Sequence, residues 1–326
     1  MAKITYLFGA GASCGAMPLN IEIPERLEEM IGKLVGLKYA SGGEEFDKMQ
    51  DLLSDLKWLL KESKNHASID TYAKKLYIKK KWKELKRLRL AISIFFTLEQ
   101  IDKIPDKRYD GFFASIISDS ISSLPSHINI LNWNYDFQFE LSFMSFADLD
   151  TIPQAQEYLR CIGKYKNYFV MPTTNFEIFK LNGDISLRSG NIDSDTYPII
   201  SNFNRPLDWE VFKEIVNVWD NRIKHGEDFC SNISFAWERS GSALLDYAAN
   251  RLQDTEILVV IGYSFPYFNR EIDKKLLSLM KTLRKVYFQA PDADDLEERF
   301  KALETRDGIE LVKRFDKLQF LIPNEL

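Results

Sequence analysis

Cysteine and histidine are scarce in this 326-residue chain, with three of each. Cys14, Cys161 and Cys230 stand far apart, are odd in number and form no Cys-x-x-Cys pair. That spacing excludes a zinc ribbon and a redox dithiol. It suits a reducing compartment, so a cytoplasmic location is expected. His66, His127 and His225 are scattered, and no histidine-rich metal site is visible. Long apolar runs are missing too. Stretches such as Ile257-Leu258-Val259-Val260-Ile261 fall far short of the roughly 20 residues that a transmembrane helix needs. The N-terminal residues reach a glycine turn too early for a signal peptide. Positive charge is not in excess: 43 Lys+Arg against 48 Asp+Glu give a net −5. That balance disfavours a general nucleic-acid binder but leaves room for a local basic patch.

What is present reads as a folded, soluble chain, 45% apolar and 28% charged. The length fits two domains, or one large domain with an insertion. A short apolar run, Ile4 to Phe8, leads into Gly9-Ala10-Gly11-Ala12-Ser13-Cys14-Gly15, and residues 25–36 then read as a helix. From about residue 44 to 119 the pattern is helical, with Leu52, Leu53, Leu56, Leu59 and Leu60 at helical spacing and a helix start at Ser68. We read residues 37–125 as a helical insertion. Residues 1–36 and 126–326 then form the main domain. Strands are expected at 128–131, 168–171, 176–181, 256–261, 286–289 and 318–322, and helices at 137–146, 209–218, 241–252, 271–283 and 293–303. Residues 186–235 read as irregular apart from the helix at 209–218. Strands alternating with helices predict an α/β fold with a mostly parallel sheet.

Four segments carry chemistry. Gly9, Ala10, Gly11 and Ser13 follow the first strand directly, where a glycine turn and the helix behind it can hold a pyrophosphate. The plainer reading is a tight turn without a ligand. Asn132-Trp133-Asn134-Tyr135-Asp136 lies after a strand and before a helix, where ligands of open α/β sheets bind. Helix capping alone would explain Asp136. Lys180-Leu181-Asn182-Gly183-Asp184 ends another strand, and Asn-Gly is also a common turn pair. Gly262-Tyr263-Ser264-Phe265 follows the most buried strand. There Gly262 allows close backbone approach and Ser264 offers a hydroxyl; a loop with core aromatics is the alternative.

Together these segments resemble the sirtuin-like (silent-information-regulator-like) NAD-hydrolysing family of bacterial antiphage defence. Gly9 to Ser13 match its Gly-Ala-Gly-x-Ser. Asn132 to Asp136 match Thr-x-Asn-Tyr-Asp, with Asn132 in place of Thr. Asn182-Gly183-Asp184 match His-Gly-Asp, with Asn182 in place of His, and Gly262 to Phe265 match Gly-Tyr-Ser-Phe. Ser68 to Ala73 resemble the family's helical insertion. The resemblance covers nearly the whole chain. It implies a Rossmann-like sheet with helices on both faces, NAD⁺ as substrate without a metal, and cleavage of the nicotinamide–ribose bond to nicotinamide and ADP-ribose. Depletion of NAD⁺ would then be the defence function. The missing four-cysteine zinc module favours hydrolysis over protein deacylation.

By this resemblance Asn134 positions water or a ribose hydroxyl, and Asp136 holds the carboxamide. The glycine loop holds the pyrophosphate with Ser13 as donor. Asp184 and Gly262 belong to the binding set, and Ser264 and Asn269 serve the adenosine half. Position 182 is the family's general base, and an amide cannot take up a proton near neutral pH. Three readings follow: an engineered inactive variant, a natural binding-only homologue, or a base supplied elsewhere, such as Asp184 or a histidine. A non-catalytic scaffold or sensor that binds NAD or ADP-ribose is the alternative function. An ordinary dehydrogenase is disfavoured, because no acidic residue follows a second strand about 20 residues past the glycine loop. The resemblance also implies a homo-oligomer and a trans-acting sensor, HerA-like ATPase or argonaute-type, with nucleic acid engaged only indirectly. The basic stretch Lys74 to Arg89 is expected to be a solvated helix face, with Tyr77 and Trp82 taken up by core packing. Contact with nucleic acid and docking of a partner are its alternatives.

Overall fold

The apolar run that opens the chain forms β1 (Ile4–Phe8), buried along its whole length. The computed structural model describes residues 1–40, 46–163, 176–189, 196–224, 229–238 and 243–326. The strand expected at 168–171, His225 and the first residues of the helix expected from 241 lie outside them. After β1 come α1 (Ile23–Ala40), α2 (Phe46–Asn65), α3 (Ile69–Ile78), α4 (Trp82–Asp102) and α5 (Lys107–Ile116). Next are β2 (Ile128–Asn132), α6 (Gln138–Ala147), α7 (Ile152–Tyr158), β3 (Cys161–Ile162) and β4 (Glu177–Lys180). Short strands β5 (Leu187–Ser189), β6 (Thr196–Tyr197) and β7 (Phe229–Ser231) flank α8 (Trp209–Val218). The chain ends with α9 (Ala243–Leu252), β8 (Ile257–Ile261), α10 (Arg270–Leu279), β9 (Lys285–Gln289), α11 (Ala293–Lys301) and β10 (Glu310–Arg314).

Seven of these strands form one all-parallel sheet in the order β10-β9-β8-β1-β2-β4-β3. The period-two alternation of the strands sorts their side chains onto two faces. Tyr6, Phe8, Ile130, Ile178, Val259 and Tyr287 enter one core with α5 and α6. Leu7, Leu131, Phe179, Leu258, Val260 and Phe288 enter another with α9, α10 and α11. A sheet covered on both faces needs strands apolar throughout, as β8 is. The fold is therefore α/β and Rossmann-like. A third core joins α1, α2, α3, α4 and α8 with Ile185, Leu187 and Phe235. The helices between β1 and β2 are thus divided: α1 to α4 build the third core, and α5 packs on the sheet. Among the described residues no helix is long and apolar enough to cross a membrane.

Three local expectations are corrected. Residues 186–235 are not irregular throughout, because β5, β6 and β7 form a small antiparallel sheet. Strands of two or three residues are too short to carry a periodic signal. The last strand is not 318–322 but β10, paired with β9. The tail beyond it is held by side chains: Gln289 Nε2 donates to Asp316 O (2.9 Å) and Gln319 O (2.6 Å), and Leu321 N–H donates to Gln289 Oε1 (2.9 Å). Finally, Tyr77 and Trp82 are not core residues; they are 40% and 54% exposed. Leu76, Leu85 and Leu88 form the buried stripe. Tyr77 lies in the last turn of α3 and Trp82 opens α4, so both stand exposed at the corner where the chain turns at Lys80 (φ 54).

Phe320 is the buried aromatic anchor of the tail. Phe320 is buried against Phe8 (5.2 Å between centroids) and Tyr109 (5.0 Å), whereas Leu318 is 84% exposed. Phe320→Ala is expected to cost about 3–5 kcal/mol in urea denaturation. Leu318→Ala should stay within about 0.5 kcal/mol of the parent. Equal losses would instead support a paired strand at 318–322.

Candidate functional site

The sheet order reverses at β1, which leads on to β2 on one side and is flanked by the later β8 on the other. In such sheets the crevice beyond the carboxyl ends at the reversal is the usual ligand position. Both glycine segments meet there. Gly9 N–H donates to Ile261 O (3.0 Å), and Gly11 N–H donates to Gly262 O (2.9 Å). A Cβ on Gly9 would lie 2.6 Å from Tyr263 Cα. Gly262 has φ +58, and a Cβ there would lie 2.3 Å from Ala12 N. Contact between the two loops thus accounts for both glycines, and Ala10 stands exposed at the apex. No helix of length follows the turn: a four-residue 3-10 turn, Ala10–Ser13, comes first, and α1 starts only at Ile23. The helix terminus expected behind the glycines is therefore elsewhere. Instead α5 braces the turn, where Arg108 Nη2 donates to Ala12 O (3.0 Å) and Gly15 N–H donates to Asp106 Oδ2 (3.0 Å).

Beneath the glycine turn lies a buried polar network. Asn134 Nδ2 donates to Gly9 O (3.0 Å) and to Ser13 Oγ (3.1 Å). Ser13 Oγ lies 2.8 Å from the Tyr109 hydroxyl and also hydrogen-bonds the Asp136 carboxyl. Either hydroxyl of the Ser13–Tyr109 pair can be the donor. Burial pushes the Asp136 carboxyl above the usual carboxylate range, although Lys180, Ser13 and the Gln138 N–H pull it down. Burial, helped by Asp136, pushes the Tyr109 phenol well above its usual range. Asp136 also accepts from Gln138 N–H (3.2 Å), so it caps α6 as well.

The end of β4 supplies the second part. Lys180 is buried, with Nζ 2.8 Å from Glu140 Oε1, and it donates to Asp136 O (2.9 Å). The surrounding carboxylates hold its ammonium above the usual lysine range against the burial that lowers it. Two residues on, Asn182 Nδ2 donates to Trp133 O (3.1 Å). Asn182 Oδ1, Asn232 Oδ1 and Trp133 Nε1 are buried without a hydrogen-bond partner. Asp184 is fully engaged, accepting from Ser186 N–H (2.9 Å), Asn232 Nδ2 (3.0 Å) and Gln156 Nε2 (3.1 Å).

The loop after β8 forms the third part. The Tyr263 ring lies parallel to Trp133, at 5.9 Å and 8°. Its hydroxyl donates to buried Asp273 (2.9 Å) and accepts from Asn269 Nδ2 (2.9 Å). Burial pushes Asp273 well above the carboxylate range, against the Tyr263 hydrogen bonds. Ser264 is exposed, and its carbonyl accepts from Arg299 (2.8 Å).

The strand ends thus gather Gly9, Gly11, Ser13, Asn134, Asp136, Asn182 and Gly262 around the reversal point. Asp184 and Asn269 sit behind them in structural hydrogen bonds, and Ser264 lies outward beside α11. Sequence reasoning missed Tyr109, Arg108, Asn232 and the Lys180–Glu140 pair. A signal for that pair exists: Lys180 is the one cation in Phe176–Leu181, and Glu140 is the one charged residue in Phe137–Phe146. Among the described residues no group of three or more His, Cys, Asp or Glu side chains is placed to hold a metal ion. A groove of ≈ 550 Å³ along α8, lined by Arg205, Glu210, Lys213 and Glu214, includes none of the strand-end residues. Compared with known proteins, the chain matches no family model, no curated protein and no solved structure.

Two stability predictions follow from this geometry. Lys180→Met alone leaves Glu140 buried without its counter-ion and is expected to cost about 3–5 kcal/mol, while Lys180→Met with Glu140→Leu should regain most of it. Urea denaturation of both variants decides; a double variant no better than the single one would show that the pair itself is not the source. The Asp273 proton is bound more tightly in the folded chain than in the unfolded one. Its contribution to stability is therefore full below about pH 4 and is lost as pH rises through the folded-state value. The midpoint difference between Asp273→Asn and the parent should move in the variant's favour from about pH 4 upward in thermal melts. A trend in the other direction would place Asp273 ionised in the folded state.

Proposed function

We propose that this chain binds NAD⁺ across the carboxyl ends of β1, β2, β4 and β8 and has the architecture of an NAD⁺ glycohydrolase with impaired turnover. The observation that carries the reading is the unpaired, buried Asn182 Oδ1 at the end of β4. It lies in the same polar neighbourhood as Asn134 and Asp136 and at the motif position where the family has its histidine. Trp133 Nε1 and Asn232 Oδ1 add an unpaired donor and an unpaired acceptor. Groups of this kind suit a ligand that carries both an amide and ribose hydroxyls. Among the glycine-turn amides, those of Gly9 and Gly11 are bonded to the β8 loop, so contact with the pyrophosphate falls to the exposed apex at Ala10.

Hydrolysis breaks the bond from ribose C1′ to the nicotinamide nitrogen, and the bonding pair leaves with neutral nicotinamide. The ribosyl cation takes a water oxygen, and the water must lose a proton. Asn134 and the buried Asp136 shape the polar wall on which the ribose and carboxamide rest. Asn182 can orient a hydroxyl or water but cannot accept its proton. By the same resemblance, the active form would deplete NAD⁺ in defence under a trans-acting partner. A second reading, a subunit that binds NAD or ADP-ribose without turnover, is favoured by the engagement of Asn134 Nδ2 with Gly9 and Ser13.

Calorimetric titration of the parent with NAD⁺ and release of free nicotinamide test both readings. The parent should bind NAD⁺ and turn it over slowly, and Asn182→His should raise the rate about 10²- to 10⁴-fold. The gained rate should follow a titration near about pH 6.5. Binding with no gain in Asn182→His assigns the binding-only role, and no binding by the parent overturns the proposal.

A further inference from the structure

The corner between α3 and α4 presents seven consecutive exposed residues, Tyr77 to Lys83. Three are large and apolar: Tyr77, Ile78 and Trp82, at 40%, 69% and 54% exposure. The other four are Lys79, Lys80, Lys81 and Lys83. Lys81 pairs with Glu84 (2.8 Å), while among the described residues Lys79, Lys80 and Lys83 have no acidic partner. The aromatics form a continuous ladder. Phe235 stacks on Trp237 (5.3 Å, 5°), Trp237 meets Tyr77 (4.7 Å), and Tyr77 meets Trp82 edge-on (5.3 Å). Lys74 stands over the Trp237 ring at 4.6 Å. Trp82 ends the ladder, half exposed, between Lys81 and Lys83 in sequence, in a chain whose net charge is −5.

We propose that this corner binds single-stranded nucleic acid. Cations and exposed ring faces alternate along it: Lys74, Tyr77, Lys79 to Lys81, Trp82, Lys83. A single strand alternates phosphates with unpaired base faces, and each base face stacks on an aromatic ring whatever its sequence. A duplex hides those faces. An acidic protein surface would engage the lysines but leaves the Trp82 face without a use. The corner lies at the C-terminal end of the ten-residue helix α3. The inference stands apart from the NAD⁺ reading.

Fluorescence anisotropy of the full chain with a labelled 20-nucleotide dT strand tests it, from about 50 to 200 mM salt. Binding is expected, with a slope of log K against log salt near about −2 for three phosphate contacts. Trp82→Ala should weaken it about 5- to 100-fold. Lys79→Gln, Lys80→Gln and Lys83→Gln together should flatten the salt slope. These side chains are exposed, so both variants should melt with the parent, and NAD⁺ titration should be unchanged. Absence of dT binding overturns the proposal. So does binding of a 20-base-pair duplex or of phosphatidylserine vesicles as tight as that of dT and indifferent to Trp82→Ala. Self-association lost in the same variants, without dT binding, would assign the corner to a second copy of this chain.

Discussion

The Lys180 ammonium is the interaction on which the rest of the strand-end arrangement depends. It is buried at the end of β4, ion-paired to Glu140 on α6 and hydrogen-bonded to the carbonyl of Asp136. A charge that deep is tolerated only when its donors are used and its counter-ion is held. Those needs fix the distance between β4 and α6 and the path of the β2–α6 turn together. Asn134 and Asp136 ride on that turn, and Asn182 lies two residues beyond the lysine. The relative placement of the three is therefore a by-product of satisfying one buried cation. Asp136 feels the same charge as a pull on its carboxyl, which burial outweighs.

The second constraint is backbone contact between the loops after β1 and β8. Glycine at 9, 11 and 262 lets the main chains touch, and the left-handed backbone at Gly262 points the next residue, Tyr263, inward. Tyr263 then lies parallel to Trp133 from the β2 loop and anchors on Asp273 from α10. The ends of β2 and β8 are thereby locked by one aromatic pair, and α10 is tied to them by one phenol–carboxyl contact. The rigidity has a chemical consequence. Gly9 O, Ser13 Oγ and the Asn134 amide are already engaged with one another, so a ligand arriving here meets a shaped wall. Among the described residues, the groups still open to it include the unpaired atoms of Trp133, Asn182 and Asn232.

The central strands of the sheet were legible in the sequence because they are buried on both faces, and β8 reads as an unbroken apolar run; the short β3 and the exposed β10 were not. The caps were legible for the same local reason: Ser68 accepts from Thr71 N–H (3.0 Å) at the head of α3, as its position before the helical pattern implies. What escaped depends on partners distant in sequence. Tyr109 reaches Ser13 across 96 residues, and Asn232 reaches Asp184 across 48. No local pattern marks either one. The glycines were legible as a turn, but their neighbour was not, because a close approach between loops 250 residues apart leaves no mark in either segment alone. Tyr77 and Trp82 failed differently. Their spacing put them on one face with the leucines, but they stand at the ends of α3 and α4 that meet at Lys80, where they are exposed.

The side chain at position 182 can be argued further from its surroundings. Its Nδ2 is already given to Trp133 O, and its Oδ1 is the atom left open. A histidine there would find the same carbonyl waiting for a ring N–H. A ring nitrogen that donates to a backbone carbonyl fixes the tautomer, and the other nitrogen is then free to accept a proton. The carbonyl of Trp133 is thus already placed to orient a base, whichever residue occupies the position. Asparagine keeps the orienting hydrogen bond and gives up the proton acceptor. In the proposed NAD⁺ reading, an exchange of that kind would separate binding from turnover, because the bond that positions the side chain is the one retained.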